Sequence, residues 1–402
     1  MSNAEVRPEG VGRNQHALRD HNERLILTTL SRNGPMPGSE ISRVTHLSPQ
    51  TVSVILRALE QDGMLKRGTP QRGKVGKPSV PMRIAPDGAY SIGVMVGRRT
   101  LNLVLTDLTG AVLSDRVLKY IKPTPEPIIA FLSDGLNEIR AELGPEKWNR
   151  VSGIGIAQPY QLWAWHASLG AGRGASSSGD MAVWEGFSFE RALSEICDLE
   201  IYTENDATAA AQAEQIYGVE RDFADYAYFF IGAFIGGGII LNNATYEGRF
   251  RNAGAFGSLP MPAPGGGTRQ LIDTASLHLL DADVRRAGLD ASRLWDPTDD
   301  WSSYEPHLGD WIEQTADQIA LATLMICAVV DFEAVVIDGA MPVNVRARIV
   351  ARTLERVAEL DTRGLYPPRV LEGSIGKNAR ALGAAANPIQ SNFFLTPNRG
   401  PV

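Results

Sequence analysis

Over the first 85 residues the apolar positions recur with a helical period. Leu18, Leu25, Ile26 and Leu30 lie on one face of Asn14 to Ser31, and Asn33–Gly34–Pro35 ends that face. Ser39 is suited to cap a short helix carrying Ile41 and Val44, and His46–Leu47 makes a turn. Ser48 then caps a second helix with Pro49 at its first position, where a missing N–H costs nothing. Val52, Ile55, Leu56 and Leu59 give that helix its buried face, and Gly63 stops it. Helix, tight turn and capped helix predict a helix-turn-helix whose second helix enters the DNA major groove. Ser48, Gln50, Thr51 and Ser53 near its start are candidates for base edges, and Arg57 for phosphate. Met64 to Ile84 reads as a hairpin with a basic tip, a wing that brings Arg72, Lys74 and Lys77 to the backbone or minor groove.

From Tyr90 the pattern changes to strand. YSIGVMVG, LNLVLTDL and AVLSDRVLKY read as a three-stranded antiparallel meander, followed by a helix over Pro127–Leu143 and the strand VSGIGIA. Phe189–Cys197 reads as helix, and LEIYTEND as a strand running into a helix at Asp206. The cycle repeats: Tyr226–Gly232 and GGIILNN are strands joined by a glycine-rich turn, helices occupy about 309–331 and 342–359, and AVVIDG and RVLEG are strands. A meander followed by βα units, twice, predicts an α/β body of two related lobes with a cleft between them.

Charge divides the chain at the same place. The net charge is −7, but residues 1–85 hold 13 Lys or Arg against 7 Asp or Glu. The basic segment is suited to a polyanion and the acidic remainder is not. The bland alternative is a small helical interaction module with solvated charges; caps, turn spacing, basic wing and charge split together favour DNA. No apolar run spans a bilayer and the N-terminus lacks a signal-peptide core, so a cytoplasmic protein with no membrane partner is expected. The two cysteines, Cys197 and Cys327, lie in apolar surroundings and read as packed free thiols.

Several ordered motifs carry a family resemblance over nearly the whole chain. They are the winged helix, the meander at 90–117, GIGIAQP at 153–159, ENDATAAAQAE at 204–214, IGAFIGGGII at 231–240, NAGAFGS at 252–258, VVIDGAMP at 335–342 and SIGKNARALGAA at 374–385. The chain resembles the repressors of the ROK family (repressors, open reading frames, kinases). The resemblance implies a winged helix-turn-helix over 1–85 and an actin-like, ribonuclease H-like sugar-kinase body. The first lobe would span 86–204, completed by a C-terminal helix over 378–402, and the second 205–377.

Against that family the chain has lost residues. Where members carry AGE, then isoleucine or leucine, glycine and histidine, this chain reads Ala253–Gly254–Ala255–Phe256–Gly257–Ser258. Ala255 stands where a glutamate would bond sugar hydroxyls, and Ser258 where a histidine would hold sugar and structural zinc. The loop continues as PAPGGGTRQ without the family's cysteines, so neither zinc nor any cofactor is expected. At the first phosphate turn Met95 replaces the aspartate that would face Mg²⁺, and Arg98 and Arg99 read as surface charges at a hairpin tip. The second, Gly232 to Gly238, reads as a tight hairpin between buried strands.

Asn205 and Asp206 survive. The resemblance implies that they bond sugar in repressors and that the aspartate is the general base in kinases; the local reading is a helix N-cap, and both can hold. After Pro159 the chain carries YQLWAWHASLGAGRGASSSGD, whose Trp163, Trp165 and His166 either stack on a sugar near the cleft or form a plug or dimer contact. The expected function is a non-enzymatic regulator that binds a double-stranded operator as a homodimer or tetramer and responds to a carbohydrate-like effector. The rivals are a carbohydrate kinase with a DNA-binding domain, and a body that serves only for dimerisation.

Overall fold

The computed structural model describes residues 11–70, 80–120, 123–159, 183–219, 223–263, 265–295 and 299–395. The head comprises α1 (Val11–Asn33), α2 (Gly38–Thr45), α3 (Pro49–Gln61), β1 (Leu65–Arg67) and β2 (Met82–Ile84), the two strands pairing antiparallel. Ser48 begins α3 by accepting from the Thr51 N–H at 3.1 Å, and Gly63, at φ +77°, ends the helical run as only glycine does cheaply. Ser39 does not cap α2. The chain is extended at Pro37, which takes the N-cap position, so the helix starts two residues earlier than the capping reading requires, at Gly38, and Ser39 lies inside it. The tip of the wing falls outside the described residues.

The body opens with β3 (Tyr90–Val96), β4 (Thr100–Asp107) and β5 (Val112–Lys119), then α4 (Pro125–Trp148), β6 (Val151–Gln158), α5 (Phe189–Ser194) and β7 (Ile201–Asn205). The strands form one sheet in the order β5-β4-β3-β6-β7, antiparallel within the meander and parallel from β3 to β7. α6 (Asp206–Tyr217) leads into β8 (Tyr226–Ile231), β9 (Ile235–Leu241) and β10 (Ala244–Thr245). After them come the short hairpin β11 (Pro260–Pro262) and β12 (Thr268–Gln270), then α7 (Leu277–Arg286), α8 (His307–Cys327), β13 (Ala334–Gly339), α9 (Val343–Glu359) and β14 (Arg369–Glu372). The second sheet runs β10-β9-β8-β13-β14 with the same pattern of antiparallel and parallel pairs, so the two lobes repeat one topology. Gly236, Gly237 and Gly238 lie within β9 rather than in the turn; the hairpin turns at Gly232–Ala233–Phe234.

The closing helix, α10 (Ala379–Phe393), binds these parts together, and its small residues explain how. A Cβ on Gly93 or Gly155 would stand 2.2 or 1.8 Å from the Ala381 or Ala384 carbonyl oxygen, so α10 rests on the backbones of β3 and β6. Gly383 meets α6 as closely, its hypothetical Cβ lying 1.7 Å from the Ala209 oxygen. The small-residue runs ENDATAAAQAE and ARALGAA are therefore two helices in backbone contact. At its far end α10 enters the head: Ile389 and Phe394 share a buried cluster with Ile26, Leu27, Leu30, Ile41 and Ile55. The Leu395 N–H donates to Thr28 Oγ1 at 2.9 Å, and Arg150 Nη1 of the first lobe donates to the Asp62 and Asp87 carbonyls, each at 3.3 Å. Both cysteines are free thiols, Cys327 buried and Cys197 partly so. Among the described residues no helix is long and apolar enough to cross a membrane.

Candidate DNA-reading surface and ligand cleft

The helix α3 buries Val52, Ile55 and Leu59 and turns Gln50, Ser53 and Arg57 to solvent, with Thr51 half-buried beside its cap. Thr51 and Ser48 hydroxyls lie 2.9 Å apart. Arg57 folds back along the helix, Nε donating to the Ser53 carbonyl at 3.2 Å. Val54 is 61% exposed on the same helix, an apolar group suited to a thymine methyl. The sequence reading passed over it because valine counts as core by default. Arg67, on the wing's first strand, is tied to Glu60 by two hydrogen bonds of 2.7 and 3.0 Å. Arg72, Lys74 and Lys77 lie outside the described residues.

Between the lobes the structure gathers residues that the sequence separates widely. Asn205 is the N-cap of α6, its Oδ1 accepting from the Ala207 and Thr208 N–H groups at 3.0 and 3.2 Å. Asp206 follows it and accepts from Arg380 Nη1 of α10 at 3.2 Å, across 174 residues of chain. The Arg380 guanidinium lies over the Phe230 ring, 4.8 Å from its centroid.

Arg98 corrects the sequence reading. It is not a surface charge: it packs 4.0 Å from the centroid of Phe234, and its Nε is buried without a hydrogen-bond partner. Tyr120 holds that turn from below, donating to the Gly97 and Thr100 carbonyls at 2.6 and 3.0 Å. Burial pushes the Arg98 pKa down to about 10, the Asp206 charge acting to raise it and Arg380 to lower it further. Burial likewise drives the Tyr120 hydroxyl upward. His278 also packs on Phe234, its ring tilted by 50° at 4.7 Å between centroids, and its Nδ1 lies 3.0 Å from the Ala233 carbonyl. Burial holds that imidazole below its ordinary value.

The loop at 252–258 runs along β9. Gly254, at φ +77°, would put a Cβ 2.7 Å from Gly238 Cα, and Phe256 packs on Phe229 at 4.9 Å. Ala255 and Ser258 point outward and are exposed. The residues after them form the β11–β12 hairpin, with Gly265, Gly266 and Gly267 all at positive φ. Among the described residues no group of three or more His, Cys, Asp or Glu is arranged to hold a metal ion. Trp163, Trp165 and His166 lie outside the described residues. A separate cavity of about 1040 Å³ opens where α1 meets the body, bordered by Thr28 and Arg32 of the head and by Tyr202, Gln212, Gln215 and Arg251. It lies roughly two turns along α6 from Asp206, on the side of the head.

The arrangement defines a class: a winged helix-turn-helix head on an α/β body of two sheets of like topology, with Arg98, Asp206 and Arg380 gathered between them. Residues 19–66 match the winged helix-turn-helix DNA-binding model, and residues 91–275 match the model of the ROK family. Residues 91–275 thus form a ROK-family domain, which the chain joins to a winged helix-turn-helix head. The uncharacterized protein y4fQ of Sinorhizobium fredii is 24% identical over 93% of this chain and 92% of its own length. The xylose repressor of Bacillus subtilis is 25% identical over 59% of this chain and 60% of its own length. This chain thus spans less than two thirds of that repressor. In fold, the chain is similar to a crystal structure of a ROK family transcriptional regulator described as a homolog of the E. coli Mlc protein (TM-score 0.65, 19% identity, 94% of this chain and 96% of that one). A ROK family protein from Streptococcus pneumoniae and a ROK family glucokinase from Streptomyces griseus also align, over 75% and 74% of this chain (TM-scores 0.55 and 0.57, 20% and 19% identity).

Proposed function

We propose that the protein is an effector-responsive transcriptional regulator that binds a double-stranded operator as a homodimer or tetramer in the cytoplasm and senses a carbohydrate-like molecule in its interlobe cleft. α3 reads base edges through Gln50, Thr51, Ser53 and Val54, Arg57 and the wing hold phosphate, and Ser48 fixes the helix start. The observation that carries the coupling is the span of α10. One end pairs Arg380 with Asp206 in the cleft, and the other sets Ile389 and Phe394 into the head's core. A ligand that draws the lobes together around Asp206 therefore moves the helix on which the head is seated. It shifts the protein between two states only by its difference in affinity for them. With two heads on a dimer, that motion alters the spacing of the half-sites they can reach.

Phosphoryl transfer fits the cleft poorly. Asp206 Oδ2 is engaged by Arg380, and Met95 stands where a metal-facing carboxylate would be needed. The family names of the repressor relatives support the regulatory reading over the kinase one. Asn205 serves as a helix cap and Asp206 as an ion-pair partner; contact of either with a sugar is part of the proposal, as is that of Ala255, Ser258, Trp163, Trp165 and His166.

The test is fluorescence anisotropy of the full chain on duplexes that it selects from random sequence, with and without a panel of sugars and derivatives. An operator affinity that one carbohydrate changes fivefold or more supports the proposal, and the change should shrink in Asp206→Ala. Affinity indifferent to the whole panel sinks the effector reading, and ATP turnover with any sugar restores the kinase.

A further inference from the structure

The cleft holds more positive charge than its protein partners neutralise. Arg98 and Arg380 both act on the Asp206 charge, yet Asp206 forms its ion pair with Arg380 alone. Among the described residues Arg98 has no ion pair and no hydrogen bond, and Nε of both arginines is buried and unpartnered. Arg98 is partly buried as a residue, and a charged group with a buried, unpartnered N–H is costly and seldom kept without a use. Each guanidinium lies over an aromatic ring, Arg98 4.0 Å from the Phe234 centroid and Arg380 4.8 Å from that of Phe230. A guanidinium held over a ring still has forked N–H donors for a planar or tetrahedral oxyanion, a geometry lysine does not offer. Burial, which depresses the Arg98 pKa, leaves it a cation at neutral pH.

We infer that the cleft takes an anionic carbohydrate, a sugar phosphate or a sugar acid, whose oxyanion lies between Arg98 and Arg380 while Asp206 faces its hydroxyl groups. One added negative charge beside Asp206 balances the two guanidiniums. The inference rests on the effector reading above and narrows its ligand from carbohydrates at large to acidic ones. The anion site is independent of Ala255 and Ser258, the positions where the family's usual sugar contacts have been lost.

The experiment is isothermal titration of the full chain at constant ionic strength with hexoses and pentoses, their phosphates, their acids, inorganic phosphate and ATP. The expected result is a phosphorylated or acidic sugar binding at least tenfold more tightly than its neutral parent. Arg98→Met should lower that affinity about ten- to hundredfold, the worth of charge-assisted hydrogen bonds, and lower the neutral sugar's by far less. Arg98→Lys, which keeps the charge but not the fork, should fall between. A phosphate response with no acid response assigns the tetrahedral ligand, and the reverse assigns the carboxylate; either supports the inference. Neutral and anionic sugars of equal affinity, or a preference that survives Arg98→Met, overturn it while leaving the effector reading intact. An Arg98-dependent response to inorganic phosphate or ATP, with silence from every sugar derivative, overturns both.

Discussion

The two lobes repeat one strand order, and each sends a hairpin turn into the cleft, but the two turns are filled in opposite ways. In the first lobe the turn between β3 and β4 carries Arg98, a charge buried against its neighbours. In the second the turn between β8 and β9 carries Phe234, an apolar ring 8% exposed. The two side chains meet, guanidinium on ring, at 4.0 Å. Glycine-rich turns at these places would let backbone amides approach phosphate, as a nucleotide site requires. Here a large side chain occupies each turn, and the contact between them closes the approach. The glycines that remain, in β9, have another purpose. A Cβ on Gly238 would stand 2.5 Å from Ala211 Cβ, and one on Gly237 2.2 Å from Phe256 Cδ2, so this strand is thin to admit α6 on one face and the 252–258 loop on the other.

That assignment gives the largest expected effect. Gly238→Val should destabilise the protein by about 3 kcal/mol, the upper part of the range for overpacking a core, because the neighbour it strikes is rooted in the backbone of α6. Urea unfolding measures it. A cost below about 1 kcal/mol would mean that β9 has room, and that its glycines answer to a ligand after all.

Around the Arg98 turn the signs should differ from one residue to the next. Asp206→Ala removes the lone carboxylate that Arg380 pairs with, at side-chain exposures of 15% and 16%, and should cost about 2 kcal/mol. Arg98→Met keeps the stack on Phe234 but discards the unpaired charge, and should stabilise the ligand-free protein by about 1 kcal/mol in phosphate-free buffer. The double variant should be less destabilised than the sum of the two, since Asp206 is the carboxylate that eases the burial of Arg98. Destabilisation by Arg98→Met would show that the guanidinium is structural, and would weaken the contrast between the turns.

Much of this architecture was legible in the sequence, and what was not has physical reasons. Helical periodicity located α3 and its Ser48 cap, and apolar runs bounded by turn residues located both meanders and the strands β13 and β14, because α3 buries one face while β3, β8 and β13 are buried on both. The start of α2 was misread because serine and glycine both favour that position and only the extended Pro37 decides between them. Arg98 was misread because an arginine in a hairpin turn is ordinarily solvated; nothing local announces that Phe234, 136 positions later, will cover it. The Asp206–Arg380 pair is likewise invisible without the fold, since α10 reaches α6 only by returning from the end of the chain. The small residues of α10 did register as a motif. Their reason, backbone contact with β3, β6 and α6, needed the coordinates.

The third member of the stack gives the smallest effect and separates the two turns most finely. Burial holds the His278 imidazole below its ordinary value of about 6.5, with the Arg98 charge opposing protonation and the Ala233 carbonyl, Asp273 and Asp281 favouring it. A histidine whose folded pKa is depressed binds fewer protons in the folded state than in the unfolded one. Its stability contribution is therefore whole above pH about 6.5 and is lost as pH falls below that value. The loss between pH 7 and 5.5 should be under about 1 kcal/mol for this half-buried ring. It should disappear in His278→Asn, as followed by chemical unfolding at each pH. In Arg98→Met it should shrink without vanishing, because burial is the larger cause and the guanidinium the lesser. A slope unchanged by Arg98→Met would mean that the imidazole does not feel the guanidinium charge, so that the two turns touch without sharing their electrostatics.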